Sequence, residues 1–396
     1  MEKMYQFIDD NITANPKELR LKYYAKKMDF DVDIAITQIE SRQKARNKIP
    51  ELLENQHFLF PNSIVAEQCT NEIIARYHSL LVAEGSNVLD ITAGLCVDSY
   101  YIGKHSKVTA IEIDKFTAET GIQNMQMLGA NVTVVNEDCV DYVKSCNEKY
   151  DIIFADPARR DSETGKKVSA FGNCSPNILS MLTDLRRLSR YLMIKSSPMV
   201  DISKGLHELG SVSEVWITGI GGECKELLFK LDFEQDAHPV KAHIVEFNNK
   251  GEMLWDYSYE LPCHDTAELC SDIKEGEMIY EPSACVIKGG AANKIAGQYN
   301  LRKIHNNSHL YISENIHRDF PGRMMKIYRI EDYHSRNLKS IGKDYPRLNI
   351  TTRNFPHTAE ELRSKLKSKD GGDDYLFATT MGNEKPVLIF CQREVV

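Results

Sequence analysis

Between Asn87 and Arg160 four short apolar runs each end at or beside an acid. The first ends in Asp90-Ile91-Thr92-Ala93-Gly94, the second in Glu112-Ile113-Asp114, the third in Glu137-Asp138 and the fourth in Asp156-Pro157-Ala158-Arg159-Arg160. Short apolar runs separated by helical stretches predict buried parallel strands joined by crossover helices. Open sheets of this kind bind ligands beyond the carboxyl ends of their strands. Four acids in chain order along that edge therefore predict a ligand bound there.

The pattern continues through Leu192–Lys195, Val212–Ile217 and Glu226–Leu231. Only Gly219-Ile220-Gly221-Gly222 separates the last two, too little for a crossover helix, so the final strand must run antiparallel. The fold class read from this is α/β: a Rossmann-like seven-stranded sheet with its last strand antiparallel. A helical N-terminal region precedes it, and small α+β modules follow. The expected boundaries are 1–75 for the helical region, 76–233 for the sheet domain, 234–318 for a small module of ferredoxin-like or other α+β type, and 319–396 for a last module. In the helical region Pro50 opens a helix, and Thr70-Asn71-Glu72 starts another whose buried stripe is Ile73, Ile74, Tyr77, Leu80 and Leu81. Behind the sheet, His243–Phe247 and Glu252–Tyr257 flank turn residues as a hairpin. Tyr280–Ile287 reads as a strand before a Gly289-Gly290 turn and a helix. The last module holds strands at Leu348–Thr352, Tyr375–Thr379 and Pro386–Cys391, and a helix from Thr358 through Lys367.

Charge is unevenly placed. From Arg302 to Lys369 there are 15 Lys/Arg against 7 Asp/Glu, a local balance of +8 in a chain of net charge −8, which leaves −16 for the rest. A basic segment on an acidic body fits a polyanionic partner, although a solvated face has the same composition. No uninterrupted apolar stretch approaches the roughly 20 residues of a membrane helix, and Met1-Glu2-Lys3-Met4-Tyr5 has no signal-peptide core. A cytoplasmic protein that does not enter membranes is expected. The ten cysteines form no C-x-x-C pair, so no metal is expected; Cys263-His264 with Cys270 is the nearest approach to a ligand set.

One glycine, Gly94, follows the first strand, where a dinucleotide fingerprint needs three at G-x-G-x-x-G. This disfavours NAD and FAD. Glu112 lies 22 residues beyond Asp90, and a carboxylate about 20 residues on suits a ribose diol. Asp114 is the competing choice if the strand runs two residues longer. Asp138 is placed to accept from an adenine amine.

The set Val88–Gly94, Glu112, Asp138 and Asp156-Pro157 resembles the class I S-adenosylmethionine-dependent methyltransferases, over about residues 60–233. The resemblance implies that Asp90, Thr92, Ala93 and Gly94 hold the methionine part of S-adenosylmethionine. Glu112 would hold its ribose, and Asp138 with Cys139 would border its adenine. Cys96 stands where a second glycine often does, which departs from the common loop. Asp156 and Pro157 would face the methyl acceptor. Enzymes of this kind that methylate amines have a second proline and an aromatic next, where this chain has Ala158 and Arg159, so amine methylation is open but not indicated. Asp-Pro followed by Arg also resembles RNA carbon and ring-nitrogen methyltransferases. Those acting on pyrimidine C5 use a cysteine after the next strand, where this chain reads Lys195-Ser196-Ser197-Pro198. Direct transfer, without metal or covalent cysteine, is therefore expected. Arg159 and Arg160 either clamp a phosphate or pair with Asp161 and Glu163. Phe171 either stacks on a base or belongs to the core. Gln68 and Thr70 are placed to close over the cofactor, unless Thr70 only caps a helix.

The segments Arg347–Pro356, Ala359–Arg363 and Lys369–Asp374 resemble the THUMP-like domain that ends one bacterial group of these enzymes. The resemblance implies an RNA substrate, tRNA or rRNA, bound through Arg347, Arg353, Arg363, Lys365 and Lys367. Two alternatives stay open: a methyltransferase of proteins or small molecules, and a non-catalytic adaptor that binds S-adenosylmethionine and RNA.

Overall fold

The apolar runs form the sheet they predict. The computed structural model describes residues 2–24, 26–159, 171–234 and 239–393. Met1–Val215 with Glu226–His238 make a first unit, and Trp216–Lys225 with Pro239–Val396 a second.

The first unit opens with helices α1 (Glu2–Asp10), α2 (Pro16–Tyr23), α3 (Val32–Ala45), α4 (Pro50–Leu53), α5 (Ser63–Gln68) and α6 (Glu72–Leu80). Pro50 begins α4 as expected, but Asn71 rather than Thr70 caps α6, its side chain accepting from the Ile73 N–H. The strands are β1 (Asn87–Asp90), β2 (Lys107–Glu112), β3 (Val132–Asn136) and β4 (Ile152–Ala155). A two-residue ribbon, β5 (Ala158–Arg159) with β6 (Cys174–Ser175), comes next, then β7 (Tyr191–Ser196), β8 (Val212–Ile220) and β9 (Glu223–Asp232). Leaving the ribbon aside, neighbours lie in the order β8-β9-β7-β4-β1-β2-β3. Strands β7, β4, β1, β2 and β3 pair in parallel, and β9 pairs antiparallel with β7. The order reverses beside β1, the switch point at which such sheets open a crevice. Val88, Leu89, Ile153, Leu192, Met193, Ile194, Leu228 and Phe229 are fully buried, as two-sided coverage demands.

Crossover helices α7 (Val97–Gly103), α8 (Lys115–Leu128), α9 (Cys139–Ser145), α10 (Ile178–Leu188) and α11 (Ile202–Leu209) complete the unit. Asp114, Asp138, Asn177 and Asp201 cap four of them through side-chain oxygens that accept first-turn N–H groups. Each such cap stabilises a helix by about 1 kcal/mol. Two of the acids read as strand-end ligands thus also start helices.

The second unit holds the outer part of the β8–β9 hairpin, Trp216–Lys225, and then β10 (Val240–Phe247) and β11 (Met253–Leu261), the expected hairpin, which continues the sheet past β8 to nine strands where seven were expected. Then come β12 (Met278–Pro282), α12 (Ala284–Lys288), α13 (Ala292–Gln298), β13 (Arg302–Lys303), β14 (Tyr311–Ser313) and β15 (Gly322–Asp332). They are followed by α14 (Leu338–Asp344), β16 (Asn349–Arg353), α15 (Ala359–Leu366), β17 (Asp374–Thr380) and β18 (Pro386–Gln392). The strand expected over Tyr280–Ile287 stops at Pro282. Pro282 has no N–H to continue the ladder, and Ser283 caps α12, its Oγ accepting from the Val286 N–H. From β12 onward the two expected C-terminal modules share one sheet, β13-β14-β12-β15-β18-β17-β16, because β12 pairs with β15 across their boundary.

Helices α14 and α15 cross where Gly342 meets Leu366. A Cβ on Gly342 would lie 1.7 Å from the Leu366 carbonyl oxygen, and backbone cannot step aside as a side chain can. Gly342→Ala is expected to destabilise the second unit by about 3 kcal/mol, read as a lower denaturant midpoint. An unchanged midpoint would show that the helices separate at no cost.

Candidate active site

Beyond β1 the chain turns sharply through Gly94, at φ +51°. Nothing lies within 4 Å of where its Cβ would be, so glycine is required here for its backbone conformation and not for space. Cys96 adopts the same left-handed region, φ 61° and ψ 28°, where a side chain costs about 1–2 kcal/mol. Its thiol is buried against Gly121. That packing explains how the loop keeps its turn without the second glycine.

Asp90 is buried, accepting from the Thr92 N–H at 3.0 Å and the Ser99 hydroxyl at 2.6 Å. Burial pushes its carboxyl up to about 7. Glu112 at the end of β2 spans the turn: Oε2 accepts from the Gly94 N–H at 2.9 Å and Oε1 from the Asp114 N–H at 2.8 Å. The carboxylate of Asp114 is instead engaged by Thr117, through N–H and hydroxyl, as the α8 cap. Asp138 accepts from the Val140 N–H at 2.7 Å. Beside it the buried Cys139 thiol is pushed up to about 11. Asp90, Thr92, Ala93, Gly94, Glu112, Asp138 and Cys139 all line one open cleft of about 1110 Å³. Gln68, Cys69 and Thr70 line it from the N-terminal helices, and Asp156 and Ala158 from beyond β4. Pro157 is buried behind Asp156. The Thr92 hydroxyl oxygen accepts from the Asp156 N–H at 2.6 Å, pinning the loop after β4 to the loop after β1. Cleft volume, glycine turn and successive acids fit a nucleoside with a cationic amino-acid tail.

Under this cleft lies a buried charge array whose members are far apart in the chain. Asp98 in α7 accepts from the Thr70 hydroxyl at 2.6 Å, from His78 Nδ1 at 2.7 Å and from Lys195 Nζ at 3.3 Å. The other ring nitrogen of His78 donates to Glu226 Oε1 at 2.5 Å. Lys195, at the end of β7, donates to Asp156 Oδ2 at 2.9 Å and to Thr70 Oγ1 at 2.6 Å, with Glu226 Oε2 at 3.9 Å. His78 is wholly buried between two carboxylates, which outweigh its desolvation and push it up to about 9. Three carboxylates hold Lys195 well above its ordinary value, and Lys195 with His78 holds Asp98 well below.

Of this array Thr70 and Asp156 were singled out from the sequence, and His78, Asp98, Lys195 and Glu226 were not. Lys195 ended an otherwise apolar strand, and His78 lies four residues beyond Ile74 on the buried face of α6. A charge in each of those places was a readable signal, but no pattern within either element names its partner.

The remaining expected residues divide. Phe171 is 1% exposed and packs edge-on against Phe229, with ring centroids 5.5 Å apart. It is a core aromatic and offers no face to a base. The Arg159 backbone lies in β5; its side chain and Arg160 lie outside the described residues. In the second unit Arg353 pairs with Glu281 at 2.7 Å and Arg363 with Asp370 at 2.6 Å. Arg347 donates to the Asp370 carbonyl at 3.2 Å, and Lys365 lies 2.7 Å from His357 Nε2. Lys367 is exposed just past the end of α15. Arg353 and Arg363 therefore first neutralise neighbouring acids of the fold. Among the described residues no group of three His, Cys, Asp or Glu is arranged to hold a metal, the cysteines are free thiols, and no helix is long and apolar enough to cross a membrane.

Three family models match successive parts of the chain. A spermine/spermidine synthase domain matches residues 71–172, a ferredoxin-like domain residues 279–321, and a THUMP domain-like family residues 322–393. The crystal structure of a candidate methyltransferase from Porphyromonas gingivalis W83 is 28% identical, covers 99% of this chain and 98% of its own, and superposes with a TM-score of 0.87. Two others overlap in part. A candidate class I S-adenosylmethionine-dependent methyltransferase of Listeria monocytogenes is 9% identical over 62% of this chain and 94% of its own, at a TM-score of 0.38. A candidate RNA methyltransferase of Pyrococcus horikoshii is 16% identical over 47% and 97%, at 0.34. With its sheet order, its cleft and this near full-length likeness, the chain is an S-adenosylmethionine-dependent methyltransferase-like protein, with a spermidine-synthase-like domain followed by ferredoxin-like and THUMP-like domains.

Proposed function

We propose that the protein transfers the methyl group of S-adenosylmethionine directly to a base of structured RNA, tRNA or rRNA. One observation carries the reading: Asp90, Glu112, Asp138 and Asp156 stand in order around one cleft at the switch point of the sheet. In this reading Asp90 and the Thr92–Gly94 turn hold the cofactor's amino-acid end, Glu112 its ribose hydroxyls, and Asp138 with Cys139 its adenine. When bound, the cofactor supplies a methyl group already activated on a sulfonium. The protein then has mainly to align the acceptor, a proximity effect. Asp156 is placed to orient that acceptor. Cys69 lines the cleft, but burial pushes its thiol up to about 11 and its Sγ–H donates to the Ala66 carbonyl. That disfavours a covalent cysteine route.

The RNA part rests on the THUMP-like match and on the basic balance of Arg302–Lys369. With Arg353 and Arg363 paired internally, the exposed Lys339, Lys343, Lys367 and Lys369 carry the phosphate contact. A second reading, transfer to a small cationic amine, is favoured by the lining itself: seven acids and, among the described residues, no Lys or Arg.

Incubation with methyl-labelled S-adenosylmethionine and total RNA from cells lacking the gene tests the proposal. Label in RNA above an Asp156→Ala control supports it. Equal label with Asp156→Ala would overturn the assignment of Asp156, and no label with the wild-type protein would overturn RNA as substrate. Glu112→Ala is expected to weaken calorimetric binding of S-adenosylmethionine roughly tenfold to hundredfold, the worth of one or two charge-assisted hydrogen bonds. Asp156→Ala should bind it normally. Asp90 gives a pH signature. Its carboxyl, at about 7 in the free protein, falls when a ligand ammonium approaches, so binding at pH 6 is expected to release close to one proton. Calorimetry in buffers of different ionisation heat measures this, and Asp90→Asn should abolish the release.

A further inference from the structure

We infer that Lys195 is a positioning residue that fixes Asp156 as a proton acceptor, so that the methyl acceptor is a group bearing hydrogen, N–H or O–H. The inference rests on the methyl-transfer reading and deepens it by naming the acceptor's chemistry.

Lys195 is 6% exposed and does not itself line the cleft. Its ammonium donates to Asp156 Oδ2, to Thr70 Oγ1 and to Asp98 Oδ2 at 2.9, 2.6 and 3.3 Å. Those three bonds use the three N–H donors of a lysine and leave none for a ligand. Asp156 is the half-exposed member of the set, and among the described residues only its Oδ2 is bonded. Oδ1 is left as an acceptor. The Thr92 hydroxyl fixes the Asp156 N–H, so backbone and carboxylate are held from two sides.

The charges of the array add a second argument. Asp98 and Glu226 are compensated by His78, protonated between them, and by Lys195. Among the described residues, two buried acids against two buried cations leave the single negative charge of Asp156, the half-exposed member at the cleft. An N–H or O–H acceptor needs that charge: as its lone pair forms the new bond to carbon, the sulfur–methyl bond breaks with its electron pair on sulfur. The acceptor becomes cationic until its proton passes to Asp156 Oδ1 and on to solvent. A ring nitrogen without hydrogen has nothing to give that oxygen.

Lys195→Met and Lys195→Arg test this in the full-length protein, with total RNA and spermidine as acceptors. The expected result is an unchanged affinity for S-adenosylmethionine by calorimetry in both variants. For Lys195→Met, kcat should fall a hundredfold or more while KM for the acceptor changes less than threefold; Lys195→Arg should regain at least a tenth of the wild-type rate. A Met variant that is folded and turns over at the wild-type rate would overturn the inference and leave the methyl-transfer reading intact. Should the Met variant not fold, the wild-type product still decides. Methylation at an atom that carried hydrogen supports the inference, and methylation of a hydrogen-free ring nitrogen overturns it. A wild-type protein that labels neither acceptor overturns the parent reading, and this one with it.

Discussion

Asp98 is the residue on which the first unit turns. Its carboxylate receives hydrogen bonds from α6, from the segment before α6 and from the end of β7. One acid at the start of α7 thus ties the N-terminal helices to the sheet at the level of the cleft. Ions removed from water at this depth are tolerable only when paired and hydrogen-bonded throughout. Here two anions and two cations meet that condition together, and removing any one leaves its neighbours uncompensated. Such an arrangement contributes less to stability than apolar packing of the same volume would. What it contributes is a fixed position for the lysine, and through the lysine for Asp156.

Most of the sheet was legible because a strand covered on both faces has almost no choice of residue. Every expected strand of the first unit falls within a few residues of its observed span, and the short glycine link did impose the antiparallel end. The acids at the strand ends were legible for a related reason, since a charged group directly after a buried run has to face solvent or a ligand. The strand expected over Tyr280–Ile287 failed because Ile287 and Val286 read equally well as strand or helix; Ser283 decided for a helix cap. Phe171 could not be assigned from the chain alone, because an aromatic after a loop has the same local pattern whether it faces a base or Phe229.

The array was the least legible part, although each member broke a local rule. A lysine in a buried strand and a histidine on the buried face of a helix are both costly unless partnered. The sequence reveals the cost but not the partner, which lies up to 148 residues away between His78 and Glu226. In the second unit composition misled in the opposite direction. A surplus of positive charge read from the chain is partly spent on Glu277, Glu281 and Asp370, so the count overstates what is free to meet phosphate.

On the RNA reading, the lining of the cleft constrains how a nucleic acid would reach it. A wall of acids with no described Lys or Arg attracts a cation and repels a phosphodiester. A polynucleotide can approach only by leaving its backbone outside and extending a single uncharged nucleobase inward. Paired and stacked nucleotides pay for that extrusion, whereas bases already splayed in a loop or bulge do not. The electrostatics of the wall would then act as a filter for secondary structure, admitting unpaired positions before any base is distinguished from another.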